Sequence, residues 1–174
     1  MTPKEFNDCL NRIKNGDNRG LEPIYIKYYE KLVLTANCDL RDRGKAEEVA
    51  SSVMVTILKN AGHYDYIKHP DAWMYKAVKF AVIRCKQNHR NEVLTDFSDF
   101  TQPAKDERIT FKLAFCDALK HCSPRQREII QLHFVYALNI RQTAKTMGIS
   151  VSTVKREISA IREKLKSLRK SYGL

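Results

Sequence analysis

Between residues 91 and 107 the chain loses the pattern that governs everything on either side. Elsewhere apolar residues recur three and four apart, the spacing of one helix face. Residues 91–107 show neither this period nor the alternation of a strand. They hold Pro103 with several Ser, Thr and Asp, and carry five acids against one Lys. A chain of 174 residues interrupted in this way reads as two small helical bodies on an acidic linker. The expected class is all-α, with domains at 1–90 and 108–174 and the linker at 91–107. Gly and Pro total 11, too few for a β-rich chain full of turns. No internal repeat and no convincing strand is present.

Helix starts are marked by capping residues. Thr2-Pro3-Lys4-Glu5 and Ser123-Pro124-Arg125-Gln126 are capping boxes with proline at the first helical position. Asn139-Ile140-Arg141-Gln142 repeats the cap spacing, and Ser150 is the expected N-cap of the last helix. The first helix ends near Lys14, before Asn15-Gly16-Asp17. Leu21, Tyr25, Tyr28 and Leu32, with Tyr29, Val33 and Ala36, form the next stripe. Ala46, Val49, Ala50, Val53, Met54, Ile57 and Leu58 form a third. After Gly62 and the tract 63–69, Pro70-Asp71 opens a helix carrying Trp73, Met74, Ala77, Val78, Phe80, Ala81 and Cys85. Past the linker, Phe111, Phe115, Ala118 and Leu119 line one helix. Ile129, Ile130, Leu132 and Phe134 line another, and Val154, Ile158, Ile161, Leu165 and Leu168 the last.

Charge is distributed unevenly. The net charge is +11, and residues 108–174 alone hold fourteen Lys and Arg against four acids. Such a block attracts a polyanion and speeds its encounter. A solvated helical surface is the plainer reading of the same residues. Charged residues make up 29 % of the chain, and no apolar run approaches the ~20 residues that span a bilayer, so no membrane insertion is expected. Met-Thr-Pro-Lys-Glu-Phe contains no apolar signal core, so a cytoplasmic protein is expected.

The basic block contains two short helices joined by a glycine turn, the sequence form of a helix-turn-helix. Ala144 is small enough for a second helix to cross closely. Gly148, four residues later, favours a left-handed backbone. Val154 can seat the second helix on the first, with Ile140 and Ile149 adding contacts. The helix from Val151 then presents Ser152, Thr153, Lys155, Arg156 and Ser159. N-terminal residues of such a helix reach base edges in the major groove, and Arg156 can pair two guanine acceptors. Lys155, Ser152 and Thr153 suit phosphate or base contact, and Arg141 and Lys145 the DNA backbone.

The helix after Pro70 interleaves rings and cations. Trp73 and Phe80 fall among its apolar positions and are expected in the core. Tyr75, Lys76 and Lys79 fall toward the other face, where rings stack on unpaired bases and ammonium groups follow phosphates. The tract 63–69 adds Tyr64 and Tyr66, which could hold an unstacked base; by itself it reads as a connecting loop.

Together these stretches resemble the extracytoplasmic-function (ECF) group of bacterial RNA polymerase sigma factors, in the sigma-70 family. The resemblance covers about residues 20–170. Its strongest part is Ser123-Pro124-Arg125-Gln126-Arg127-Glu128-Ile129-Ile130 with Gln142-Thr143-Ala144 and Gly148-Ile149-Ser150-Val151-Ser152-Thr153-Val154-Lys155, similar to the region-four signature. Asp71-Ala72-Trp73-Met74-Tyr75-Lys76-Ala77 resembles the region-two helix that engages the minus-ten element. Lys45-Ala46-Glu47-Glu48-Val49-Ala50 resembles the region-two helix that grips the polymerase clamp.

The resemblance implies that Arg43, Glu47, Glu48, Ser51 and Ser52, with Asp39 nearby, face core polymerase. It implies that Tyr64, Tyr66, Tyr75, Lys76 and Lys79 hold the melted minus-ten strand. Arg141, Lys145, Ser152, Thr153, Lys155, Arg156 and Ser159 would read the minus-thirty-five duplex. Partners implied are the clamp and flap of core polymerase, promoter DNA and an anti-sigma factor. The acidic linker would thread the polymerase's nucleic-acid channel. One departure stands out: the family commonly carries a Gln-Glu pair where this chain has Ser51-Ser52, so one acidic contact is lost.

No catalytic constellation is legible. There is no Gly-rich phosphate loop and no Gly-x-Ser-x-Gly, so neither an enzyme nor a cofactor is expected. Cys116, His121, Cys122 and His133 fit no common zinc spacing, and no metal is expected. Five cysteines, with Cys9, Cys38 and Cys85 completing the set, read as reduced thiols. Rival readings remain: a stand-alone helix-turn-helix regulator, a sigma-like polymerase-binding adaptor, or an enzyme acting on nucleic acid.

Overall fold

A computed structural model describes residues 1–92, 119 and 122–171. The chain divides into two units, Met1–Asp96 and Phe97–Leu174. Among the described residues all regular structure is helical.

The first unit holds α1 (Pro3–Lys14), α2 (Leu21–Leu40), α3 (Arg43–Asn60) and α4 (Pro70–Glu92). Local chemistry sets the boundaries. The Thr2 hydroxyl accepts from the Glu5 amide and Glu5 returns the bond to the Thr2 amide, closing the expected box. Gly16 takes φ +88° after α1, and Asp42 caps α3 by accepting from the Lys45 amide. Arg41, between α2 and α3, sits in the left-handed region at φ 58° and donates to the Asn37 carbonyl. Gly20 makes a close approach: a Cβ there would lie 2.6 Å from the Cys9 carbonyl oxygen.

The core of this unit combines an aromatic cluster with aliphatic side chains. Phe6 of α1 meets Tyr28 of α2 and Trp73 of α4 edge-on, each at 5.9 Å between ring centres. Ile24, Leu32, Ala46, Ala50, Met74 and Val78 are fully buried with them. Burial of a large apolar side chain of this kind contributes roughly 1.5–3 kcal/mol. The α4 register departs from the sequence expectation. Met74, Tyr75, Val78 and Val82 are buried, whereas Phe80 is 66 % exposed. Two stripes with helical spacing compete on α4, and the one facing α2 and α3 is Met74–Val78–Val82. On α2, similarly, Ile24 is buried and Tyr25 is exposed.

The second unit holds α5 (Pro124–Ile130), α6 (Ile140–Met147) and α7 (Val151–Ser171). Both expected boxes, Ser123 with Gln126 and Asn139 with Gln142, are formed. A wide π turn, Gln131–Val135, follows α5. In it the Tyr136 amide reaches the Gln131 carbonyl and the Leu138 amide the Leu132 carbonyl. The π turn carries Phe134 outward to 49 % exposure, although its spacing had placed it with the apolar row. Ile129, Ile130, Leu132, Ala144, Val154, Ile158 and Ile161 form the core. Helix α4 runs to Glu92, two residues into the stretch read as linker. The rest of that linker, Phe111, Phe115, Ala118, Cys116, His121 and the side chains of Leu165 and Leu168 lie outside the described residues.

Candidate functional site

The turn between α6 and α7 has the geometry its sequence calls for. Gly148 sits at φ 66°, ψ 31°, and both its amide and that of Ile149 reach the Ala144 carbonyl. A Cβ on Gly148 would meet nothing within 4 Å, so the backbone angle and not space calls for glycine there. The Ser150 hydroxyl accepts from the Thr153 amide at 3.1 Å, the expected N-cap of α7. Thr143, Ala144 and Val154 are buried at the crossing. A helix-turn-helix results.

Its outer surface is basic. Arg141, Lys145, Lys155, Arg156, Ser152 and Ser159 are exposed and Thr153 is half-buried. None of the four cations is ion-paired among the described residues. The Ser152 and Thr153 hydroxyls both lie 2.8 Å from the Ser150 hydroxyl, so the cap already engages them.

In the first unit a groove of about 740 Å³ runs between α3 and α4. Glu48, Val49, Ser52, Val53, Thr56 and Ile57 line one wall. Trp73, Lys76, Ala77, Phe80, Ala81, Arg84, Cys85 and Asn88 line the other, with Tyr64 at one end. The second stripe of α4 thus faces this groove. The groove brings Glu48 and Ser52, expected at polymerase, beside Tyr64 and Lys76, expected at the minus-ten strand.

The expected strand-holding set changes in composition. Tyr66 is 61 % exposed and Lys76 is exposed. Tyr64 is half-buried, edge-on to Trp73 at 5.0 Å, and burial raises its phenol pKa. Tyr75 is only 2 % exposed, which corrects its placement on the outer face: its ring packs in the core and cannot stack on a base. Lys79 is committed to Asp39 at 2.5 Å. Exposed Phe80 and Arg84, with Trp73, stand on the groove wall, which neither Tyr75 nor Lys79 lines. The signal for them was the spacing 73, 77, 80, 81, 84 on α4.

The loop 64–69 is held from beneath. Asn7 of α1, 7 % exposed, donates to the Ile67 carbonyl at 3.0 Å and accepts from the Ile67 amide at 2.8 Å. Sequence reasoning missed Asn7, because nothing local marks a partner 60 residues away.

The expected polymerase surface lies on α3. Arg43 and Glu47 pair with each other at 2.8 Å. Glu48, Ser51 and Ser52 are exposed. The Ser51 hydroxyl lies 3.4 Å from that of Tyr29, whose ring stacks on Tyr25 at 4.4 Å. Where the Gln-Glu pair is missing, this chain therefore presents a tyrosine pair beside two small hydroxyls. Among the described residues no group of three or more His, Cys, Asp or Glu could hold a metal ion, and Cys122 is buried. Among them, also, no helix is long and apolar enough to cross a membrane.

Comparison with known proteins converges on the same geometry. The family described as sigma-70, region 4 matches residues 112–165, which contain α5, α6 and most of α7. The ECF RNA polymerase sigma factor SigX of Bacillus subtilis (strain 168) is 24 % identical over 162 residues, 84 % of each chain. The solved structure of CnrH in complex with the cytosolic domain of CnrY shares the fold, with a TM-score of 0.69 at 14 % identity over 96 % of this chain and 98 % of that one. Residues 112–165, which hold the helix-turn-helix, thus match sigma-70 region 4, and along most of its length the chain is similar to an extracytoplasmic-function sigma factor.

Proposed function

We propose that this chain is an extracytoplasmic-function sigma factor that binds the core of RNA polymerase and directs it to promoters. In this reading the second unit reads the minus-thirty-five duplex and the first captures the melted minus-ten strand. The observation that carries it is the row of exposed, unpaired cations Arg141, Lys145, Lys155 and Arg156 across a capped helix-turn-helix. Arg156 contacts a base, and Arg141, Lys145 and Lys155 contact phosphates. Ser152, Thr153 and Ser159 line the same approach.

In the first unit Tyr64, Tyr66, Lys76, Phe80 and Arg84 engage the unpaired strand, with Trp73 on the wall of the groove. Unstacking a base costs a few kcal/mol, offset by ring and pocket contacts. The polymerase surface is Glu48, Ser51 and Ser52 with the Arg43–Glu47 pair. The domains act as 1–90 and 108–174 about the acidic linker, in the cytoplasm and without bond chemistry of their own. An anti-sigma partner belongs to the same reading, in keeping with the capture of CnrH with the cytosolic domain of CnrY.

Reconstituted transcription tests this. Purified chain, bacterial core polymerase and a library of genomic fragments are combined and transcript starts are sequenced. Starts sharing two spaced upstream elements are expected. Tight DNA binding without polymerase and no chain-dependent starts would favour the stand-alone regulator.

A further inference from the structure

Gln126 is buried to 7 % exposure, and its amide is engaged on both sides. Its Oε1 accepts from the Ser123 amide at 3.2 Å, closing the cap of α5, and from Lys164 Nζ of α7 at 3.1 Å. Its Nε2 donates to Glu157 Oε2 of α7 at 3.0 Å. Glu157 and Lys164 are seven residues apart, two turns on one side of α7. One side chain therefore grips α7 at two points while rooted in the N-terminus of α5.

The apolar residues of α7 constrain it less directionally than these hydrogen bonds. Val154, Ile158 and Ile161 set how deeply α7 sits, but apolar contact is non-directional and tolerates rotation about the helix axis. A rotation of about 20° moves atoms at the ~5–6 Å helix radius by about 2 Å. Hydrogen bonds to a base tolerate only about 0.5 Å. Arg156 neighbours Glu157, so any rotation allowed at Glu157 is passed to the residue read as the base contact.

We propose that Gln126 is a positioning residue for promoter reading: by clamping Glu157 and Lys164 it fixes the rotation of α7 and so the approach of Arg156. The inference rests on α7 reading the upstream element. It is specific to this polar triad, because Glu157 supplies the acceptor.

The test uses the full chain with core polymerase on a promoter obtained by start mapping. Its upstream element is intact or carries single base-pair exchanges, and the readout is the ratio of transcript yields. Gln126→Glu keeps a capping oxygen for Ser123 and an acceptor for Lys164, but sets a carboxylate against Glu157. Discrimination should fall about tenfold, the size of one charge-assisted hydrogen bond. The paired exchange Gln126→Glu with Glu157→Gln restores a donor and acceptor with reversed roles and should recover discrimination. Glu157→Ala removes the tie without touching the buried position, and its ratio should fall even as overall DNA affinity rises. Thermal melts report whether each variant is folded. Unchanged discrimination in Glu157→Ala, or no recovery in the paired exchange, overturns the clamp. A wild-type chain indifferent to the upstream element overturns the reading of α7 itself, a different result.

Discussion

Asn7→Ala should loosen the loop 64–69 from the first unit without touching its exposed rings. Asn7 makes three bonds: to the Ile67 carbonyl at 3.0 Å, from the Ile67 amide at 2.8 Å and to the Pro3 carbonyl at 2.6 Å. Ile67 is 9 % exposed, so its amide and carbonyl lose their partners where water has little access. Each orphaned group costs about 1–3 kcal/mol, and partial entry of water at the loop brings the sum to about 2–4 kcal/mol. For a unit of this size that corresponds to a fall in Tm of roughly 10–20 °C. The chain has a single tryptophan, Trp73, in contact with Phe6 and Tyr64, so urea unfolding followed by its fluorescence reports on this unit alone. Amide hydrogen exchange at Ile67 supplies the local readout. Asn7→Asp sets a carboxylate oxygen against the Pro3 and Ile67 carbonyls at a buried site, so it should destabilise at least as much as Asn7→Ala. A loss below about 0.5 kcal/mol, or an Ile67 amide that stays equally protected, would refute the assignment.

Three further outcomes are expected. Arg156→Ala should cost roughly 1–3 kcal/mol of discrimination at one promoter base pair, measured by transcription from single-exchange promoters; uniform weakening across all of them would make Arg156 a phosphate contact. Glu48→Lys reverses an exposed charge and should leave the melting curve unchanged while abolishing co-elution with core polymerase; retained co-elution would remove Glu48 from the interface. Asp17 is hydrogen-bonded first by Arg19 and then by Arg12, which hold its carboxyl at about 2 against 3.8. A lowered folded value means stability present above the unfolded pKa and lost as pH falls through about 2. Carboxyl NMR should place the midpoint there, and Arg19→Gln should raise it; a wild-type midpoint near 4 would contradict the pairing.

Chain ends of helices were legible because their causes are local. Thr2, Ser123, Asn139 and Ser150 bond to amides three residues away, so spacing alone announces them. Gly148 was legible for the same reason. The rotation of α4 was not, since two stripes have helical spacing and only the packing of α2 and α3 selects Met74–Val78–Val82. That choice exchanged Tyr75 for Phe80 in the candidate site. The pairing of Lys79 was not legible either, because Asp39, its partner, is 40 residues distant. The clamp of Gln126 was half legible: its cap lies within four residues, but its grip on Glu157 spans 31.

The placement of α1 has a consequence for how the protein is made. Phe6 finds Trp73, and Asn7 finds Ile67, only after some 60 further residues have been added. At about 5–20 residues per second that is a delay of roughly 3–12 s. Throughout it Phe6 has only Tyr28 to pack on and Asn7 lacks its partner in the loop. Synthesis order therefore makes the contacts of α1 with the loop and with α4 the last of its own to form, and the interval closes only when the loop that α1 anchors has itself emerged.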